Sequence, residues 1–220
     1  YELPARGAKE MRPGDPRLRV HERHTILQLI SKAVCAARLI QRRSRPHPCG
    51  DVGWPGVLGC DGCSRCRDAA ALNRFFEHAV SEADHHLPPD NLQLEPEASI
   101  AHRTSPTNIG MYLLASCCAR DFGWLDDAAL AARLAATLDS VDRLAKHRGH
   151  LYNWYDTQTL AMLQPAYVSS VDSGNLAGHL LTVAQACRGF AAGADAATRD
   201  LLTAIAARCE TLCHGMDFRG

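Results

Sequence analysis

The sequence predicts an all-α fold, and three observations carry that prediction. Ala and Leu dominate the apolar residues, which make up 46% of the 220 positions, whereas only 6% are aromatic. Ala and Leu favour helices, while strands favour β-branched and aromatic residues. From residue 68 onward, apolar residues recur at steps of three and four, as on the buried face of a helix. Polar capping residues, Pro and Gly separate these periodic segments, as is typical of helix ends.

The chain divides into two regions near residue 67. Residues 1–67 are predicted to be an irregular N-terminal segment with one helix, from about His24 to Arg43, where apolar residues form a broad stripe. A loop rich in Cys, Gly and Pro follows it and cannot be regular helix. Residues 68–220 carry the regular pattern and form the second region.

Five helices are predicted in the second region. They span approximately residues 68–83, 106–123, 126–149, 174–190 and 196–217. Ser105 reads as an N-cap followed by Pro at the first helical position. Ser173 and Asp195 are the predicted N-caps of the last two helices.

Two long polar loops separate these helices, at residues 85–104 and 149–172. The other connections, such as residues 189–195, are short. In an array of helical hairpins, alternate loops emerge on the same face. We therefore expect the two long loops to share one rim of the domain.

The first candidate site segment lies at the end of the first long loop. Arg103 and Asn108, with His102 and Thr104, place hydrogen-bond donors and acceptors beside a helix N-terminus. Such a cluster can bind hydroxyl groups. The alternative is that Arg103 only pairs with a carboxylate and Ser105 only caps the helix.

The second candidate segment is the run Tyr152-Asn153-Trp154-Tyr155-Asp156. Three aromatics within four residues are unusual in a chain so poor in them. Aromatic faces can stack on a sugar ring while Asn153 and Asp156 bind its hydroxyls. The alternative is a loop held in place by aromatic packing into the core.

The third candidate segment precedes the fourth predicted helix. Asp172, Ser173 and Asn175 converge on its start, and Gly174 permits close approach of the backbone. The alternative is an elaborate N-cap. Asp156 and Asp172 could also suggest a glycosidase pair, but sequence gives no separation between them, and Asp172 is more naturally a hydrogen-bond acceptor.

Cofactors and metals are not predicted. Cys60-x-x-Cys63-x-x-Cys66 resembles part of an iron–sulfur or zinc ligand set, but it has no second CxxC at zinc-ribbon spacing. A small metal-binding regulator that uses these three cysteines stays open as an alternative. The cysteines of the second region, residues 68–220, fall in helical patterns, where a thiol acts as a small buried apolar group.

The charge balance and the apolar runs exclude several classes of partner. The net charge is zero with His neutral, which does not favour nucleic acid or an anionic membrane. No apolar run reaches the roughly 20 residues that a membrane span requires, and no secretory signal is visible. The sequence therefore predicts a soluble chain with reduced cysteines in the cytoplasm.

Several unusual runs of the second region follow one another in an order that resembles a known family. They are Phe75-Phe76-Glu77, Leu87-Pro88-Pro89-Asp90-Asn91, Ala101-His102-Arg103-Thr104-Ser105-Pro106-Thr107-Asn108, Leu151-Tyr152-Asn153-Trp154-Tyr155-Asp156 and Tyr167-Val168-Ser169-Ser170-Val171-Asp172-Ser173-Gly174-Asn175. Residues 70–220 resemble the central glycoamylase-like region of bacterial cyclic β-1,2-glucan synthases. These are large, membrane-embedded proteins that extend a β-1,2-glucan from UDP-glucose and close it into a ring.

The resemblance implies a partial (α/α)₆ toroid with about half of its helices. It implies that the chain contributes glucan-binding loops to a transglycosylating, cyclising domain, at the cytoplasmic face of the inner membrane and joined to the rest of the synthase. No residue corresponds to the family's catalytic carboxylates, so the chain is expected to be inactive alone. The expected β-1,2-glucan contacts are Arg103, Asn108, Tyr152, Asn153, Trp154, Tyr155, Asp156, Asp172, Ser173 and Asn175. A standalone helical module that binds protein or sugar without catalysis is the alternative.

Overall fold

The computed structural model describes residues 64–93 and 99–219, and within them the prediction of an all-α fold is confirmed. Five helices account for most of this part of the chain: α1 Ser64–Ala79, α2 Pro106–Asp121, α3 Asp127–Arg143, α4 Ser170–Ala191 and α5 Ala196–His214. The predicted helix at 24–43 lies outside the described residues, as do Cys60 and Cys63 of the motif that ends at Cys66, so the helix stays a prediction and the metal-binding alternative stays untested.

Within residues 64–93 and 99–219, six strands of two residues each lie in the connections between the helices. They are β1 Leu92–Gln93, β2 Ser99–Ile100, β3 Arg103–Thr104, β4 Lys146–His147, β5 His150–Leu151 and β6 Tyr155–Asp156. They form three antiparallel pairs, β1 with β2, β3 with β6 and β4 with β5. These short pairs fix the two long loops against the helix ends.

Helices α2 and α4 lie side by side and run in the same direction. Thr107 contacts Asp172 near the start of both helices, Gly110 packs against His179 one turn further, and Cys117 contacts Cys187 still further along. Each helix is followed by an antiparallel partner after a short turn. The N-termini of α2 and α4 therefore emerge at the same end of the molecule, next to the long loops.

One core lies between the two hairpins. Its largest completely buried aliphatic side chains come from α2 to α5 and from Leu87 in the connection after α1; those of the helices are Ile109, Leu113, Leu130, Leu134, Leu138, Leu176, Leu180, Val183, Leu202 and Ile205. Cys117, Cys187 and Cys209 are buried in the same core as free thiols. Burial raises the pKa of the Cys209 thiol to about 12, so it stays protonated and packs as an apolar group.

The predicted N-caps Ser105 and Asp195 are correct, and Asp126 caps α3 in the same way, because each cap depends only on local chemistry. Ser105 accepts a hydrogen bond from the backbone N–H of Asn108, Asp126 from that of Ala129, and Asp195 from that of Thr198. Each side-chain oxygen satisfies an N–H group that the first helical turn leaves without a partner.

The predicted cap at Ser173 is wrong by one turn. The N-cap of α4 is Ser169, whose hydroxyl accepts from the backbone N–H of Asp172. Ser173 is buried inside the first turn instead. Both serines suit a cap locally, and the packing of α4 against α2 decides between them.

The prediction that α3 continues to Gly149 is also wrong. The helix ends at Arg143, and Leu144 already has an extended backbone. The Lys146 ammonium donates to the carbonyls of Val141, Asp142 and Leu144, so it satisfies acceptors at the end of the helix. The chain then turns through Arg148 and Gly149, which both have positive φ, into the β4–β5 pair.

Helix α1 ends at Ala79 and not at Ala83. The backbone N–H of Asp84 donates to the Ser81 carbonyl and hydroxyl, which folds residues 81–84 into a turn. His85 and His86 then adopt left-handed backbone conformations, with φ of 52° and 55°. Such conformations are uncommon for residues other than Gly, and no sequence pattern here predicts them.

Candidate functional site

The two long loops meet at the end of the molecule where α2 and α4 begin. Strands β3 and β6 pair so that Arg103 lies opposite Asp156 and Thr104 lies opposite Tyr155. The expectation that these loops share one rim is therefore confirmed. We call this surface, formed by residues 84–93, 99–108 and 152–175, the rim.

Arg103 is the centre of the first side-chain cluster on the rim. Its Nε and Nη2 donate to Asp90 Oδ2 at 3.2 and 2.8 Å. Its guanidinium carbon also lies 4.9 Å from the centre of the Trp154 ring, within the range of a cation–π contact. Asn108 approaches the same carboxylate, with Nδ2 3.4 Å from Asp90 Oδ1.

Arg103 thus pairs with a carboxylate, that of Asp90, as the alternative interpretation of the sequence expected. This ion pair does not remove Arg103 from solvent. Half of the Arg103 side chain is exposed, and Asp90 is partly exposed as well. The ion pair and the Trp154 ring fix the guanidinium plane at the surface. An aromatic ring beside an oriented guanidinium can bind an apolar face and a hydroxyl of one ligand together.

A second cluster joins the first turns of α2 and α4. Thr107 Oγ1 donates to Asp172 Oδ1 at 2.5 Å, and Asn175 Nδ2 donates to Thr107 Oγ1 at 3.1 Å. Thr107 precedes Asn108 in the chain, so the two clusters are continuous. The positive ends of both helix dipoles favour the Asp172 carboxylate at this position.

Asp156 is on the rim, but one of its oxygens has a structural role. Its Oδ1 accepts from the backbone N–H of Thr159, from the Thr159 hydroxyl and from the backbone N–H of Gln158. The hydrogen bond from the Thr159 backbone is the main reason that the pKa of Asp156 lies below its ordinary value. This carboxylate is therefore ionised at neutral pH and holds the turn at residues 156–160.

Three of the expected contact residues are buried and support the rim from below. Tyr155 is completely buried; its hydroxyl donates to the Ala145 carbonyl and accepts from the Tyr152 backbone N–H. Asn153 Oδ1 accepts from the backbone N–H of Tyr167 at 3.4 Å. Ser173 is enclosed in the first turn of α4. Core packing encloses these three side chains in the described chain, and their expected glucan contacts stay predictions.

The remaining expected contacts reach the surface to different degrees. Tyr152 and Trp154 are partly buried, Asn175 is exposed, and Asp172 is partly buried beside Thr107. Gly174 faces open space, since a Cβ placed on it would meet no atom within 4 Å. The close backbone approach expected at Gly174 does not occur within the described chain.

A buried polar network under the rim was not identified from the sequence. Asp84 is only 4% exposed. Its Oδ1 accepts from Thr157 Oγ1 at 2.6 Å and lies 2.7 Å from His102 Nδ1, while Oδ2 accepts from Ser81 Oγ at 2.9 Å. Asp84 stands before two histidines in a loop, and only its partners from distant segments distinguish it.

The described residues offer no metal centre, since no group of three or more His, Cys, Asp or Glu side chains is arranged to hold an ion. His85 has a structural contact in the same region, since its Nδ1 lies 2.9 Å from the Thr157 carbonyl. No helix within residues 64–93 and 99–219 is long and apolar enough to cross a membrane.

The parallel helices α2 and α4, their antiparallel partners and the loops at one end form a glucoamylase-like α/α fold. Two solved structures share it. A candidate glucoamylase from Bacteroides fragilis superposes with a TM-score of 0.53 at 17% identity, over 66% of this chain and 33% of that one. A candidate glucoamylase from Bacteroides caccae superposes with a TM-score of 0.53 at 19% identity, over 68% of this chain and 35% of that one.

The sequence comparison gives a more specific relative. Over 118 residues the chain is 52% identical to the cyclic β-(1,2)-glucan synthase NdvB of Rhizobium meliloti. The predicted resemblance to cyclic β-1,2-glucan synthases is thereby confirmed. The match covers 54% of this chain and 4% of the relative, so the chain spans a small part of that protein's length. No model of a known protein family matches the chain.

Proposed function

We propose that the rim binds β-1,2-glucan as part of the transglycosylating and cyclising toroid domain of a cyclic β-1,2-glucan synthase. In this proposal the chain supplies binding loops and acts together with the rest of the parent synthase at the cytoplasmic face of the inner membrane. The rim contacts are Arg103, Asn108, Tyr152, Trp154, Asp156, Asp172 and Asn175. Tyr155, Asn153 and Ser173 hold these loops in place.

The observation that carries the proposal is the Arg103–Trp154 contact on the shared rim. A sugar ring presents an apolar face of C–H groups and an edge of hydroxyls. The Trp154 ring suits the face, while the guanidinium and the Asn108 amide suit the hydroxyls. Asp90 keeps the guanidinium oriented before a ligand arrives, which lowers the entropic cost of binding.

The same geometry favours binding over catalysis by this chain. Paired carboxylates in glycoside hydrolysis must reach the glycosidic bond from opposite sides. Asp156 Oδ1 is engaged in its own turn, and Asp172 Oδ1 accepts from Thr107. Each has a supporting role in the fold, so neither is proposed as the acid or the nucleophile.

A fluorescence titration tests the proposal directly. Of the three tryptophans, Trp124 stacks on Phe122, and Trp54 lies outside the described residues. The double variant Trp54→Phe/Trp124→Phe leaves Trp154 as the only reporter. We expect its emission to change saturably with β-1,2-linked gluco-oligosaccharides and to respond less to β-1,3-linked ones of equal length. A cooperatively folded sample that shows no response would refute the proposal.

One observation favours the alternative of a helical protein-binding module. Val171 and Leu181 on α4 are 70% and 44% exposed, and Gly174 and Gly178 between them face open space. An exposed apolar stripe of this kind is typical of an interaction surface. This alternative predicts that Val171→Ser/Leu181→Ser changes the association state of the chain and leaves glucans without effect.

A further inference from the structure

Within the described residues, the side chain of His102 forms a hydrogen bond on only one side of its ring. Its Nδ1 lies 2.7 Å from Oδ1 of the buried Asp84. The opposite edge of the ring is directed away from that carboxylate, and 42% of the side chain is exposed. Among the described residues no protein group is bonded to Nε2.

Asp84 is held ionised in spite of its burial. Burial by itself would raise its pKa, but hydrogen bonds from Thr157, His102 and Ser81 outweigh that effect and lower the pKa below its ordinary value. An ionised carboxylate can only accept hydrogen bonds. The proton of a neutral His102 ring must therefore reside on Nδ1, which leaves a lone pair on Nε2.

Resting on the proposed function, we propose that His102 is a ligand contact whose Nε2 accepts a hydrogen bond from a glucan hydroxyl, and that Asp84 positions it. The next residue, Arg103, supplies donors to the same rim. His102 would accept a hydrogen bond from one sugar hydroxyl, and Arg103 would donate to another. Such a pair can distinguish hydroxyls by the direction of their hydrogen bonds, whereas apolar stacking on Trp154 cannot.

A purely structural role for His102 would need only its Nδ1. The Asp84 network already joins two connections of the fold, because Ser81 and His102 lie between α1 and α2 whereas Thr157 lies between α3 and α4. An amide could complete that network as well as an imidazole. The half-exposed outer edge of the ring contributes nothing to it, so the outer edge is the part available to a ligand.

Two substitutions separate the two nitrogen positions of the ring. In His102→Asn the amide can donate to Asp84 as Nδ1 does, but no atom replaces Nε2. In His102→Gln the amide reaches the position of Nε2 and loses the contact with Asp84. We expect His102→Asn to keep the thermal midpoint of unfolding and to weaken β-1,2-glucan binding about tenfold. We expect His102→Gln to lower the midpoint and to bind within about threefold of the wild type.

The readouts are isothermal titration with β-1,2-linked oligosaccharide and thermal unfolding of the same samples. His147→Asn, at the exposed position of β4 and outside the residues that form the rim, is the matched control and should change neither quantity. Wild-type affinity in a folded His102→Asn variant would overturn the inference and leave the proposed function intact. Absence of glucan binding in the wild type would overturn both.

Imidazole ¹⁵N chemical shifts give a readout that does not depend on affinity. We expect the neutral His102 ring to be protonated at Nδ1, and the Nε2 resonance to move when oligosaccharide is added. Asp84→Asn should shift the tautomer balance towards Nε2–H, since the carboxylate that selects Nδ1–H is lost. A wild-type ring protonated mainly at Nε2 would contradict the inference.

Discussion

Arg103 and Asp156 lie directly opposite each other on strands β3 and β6. Directly paired residues share one face of a β-ribbon, so this register places both side chains on the same side of the rim. The Arg103 guanidinium binds Asp90, while Asp156 Oδ1 binds its own turn. The strand pairing therefore brings the loops together through backbone hydrogen bonds, and the side chains stay available to define the surface.

The first prediction concerns the role of Arg103 in binding rather than in stability. Its ion pair with Asp90 is half-exposed, and pairs of this kind contribute about 0–1 kcal/mol to folding. We expect Arg103→Ala to change the free energy of unfolding by less than about 1 kcal/mol and to weaken glucan binding about tenfold or more. Urea unfolding and isothermal titration measure the two effects.

The control for this prediction is Arg188→Ala. Arg188 pairs with Glu210 on α4 and α5 with a similar exposure, at 2.6 Å, and lies away from the rim. It should change binding by no more than experimental error. Equal losses of affinity in the two variants would indicate a general effect of charge and would contradict a specific role for Arg103.

Tyr155 is predicted to contribute to stability through its hydroxyl. This group joins the Tyr152 backbone N–H to the Ala145 carbonyl in a completely buried position. Tyr155→Phe leaves both backbone groups without that partner, so we expect the free energy of unfolding to fall by about 1–3 kcal/mol. Tyr167→Phe is the control, because the Tyr167 side chain is half-exposed and should change stability by less than about 0.5 kcal/mol. Equal effects in urea unfolding would refute the assignment.

The contrast between Ser105 and Tyr155 explains how far the sequence alone could predict this molecule. The cap at Ser105 depends on neighbouring residues, so its role follows from local pattern. The aromatic run at 152–155 was compatible with either stacking on a sugar or packing in the core. The structure divides the run, with Tyr155 buried and Trp154 beside Arg103. That division depends on the β3–β6 register, which no local pattern specifies.

The Asp84 network could not be predicted for a related reason. Its members lie at Ser81, Asp84, His102 and Thr157, and single polar residues in loops carry no periodic signal. The left-handed backbone at His85 and His86 is imposed by tertiary contacts, since Ser140 and Thr137 donate to their carbonyls. Long-range contacts of this kind decide which polar residues become functional candidates.

Two glycines are predicted to respond to alanine in opposite directions. Gly149 has a φ of 82°, and a Cβ there would overlap the carbonyl oxygen of Gly215. We expect Gly149→Ala to lower the free energy of unfolding by more than about 2 kcal/mol. Gly174 lies in a helix and faces open space. We therefore expect Gly174→Ala to raise the free energy of unfolding by about 0.5–1 kcal/mol. Urea unfolding measures both changes in free energy. A loss of stability in Gly174→Ala would contradict the open space around this residue.

The last prediction concerns the acid stability that Asp84 provides. Its pKa is lower in the folded chain than in the unfolded chain, where an aspartate titrates near 3.9. The ionised form therefore stabilises the fold above about pH 4, and this contribution is lost as the pH falls through the folded pKa. Asp84→Asn removes the titrating group and should be less stable than the wild type at neutral pH.

We therefore expect the difference in unfolding free energy between wild type and Asp84→Asn to narrow as the pH falls from about 6 to about 3. Other carboxylates with lowered pKa, such as Asp195 and Asp217, titrate in both proteins and cancel in the difference. Asp200→Asn, at an exposed carboxylate of α5, is the control and should follow the wild-type curve. A difference that stays constant over this range would mean that the pKa of Asp84 is the same in the folded and the unfolded chain, and that the buried network stabilises the fold by packing rather than by its ionised carboxylate.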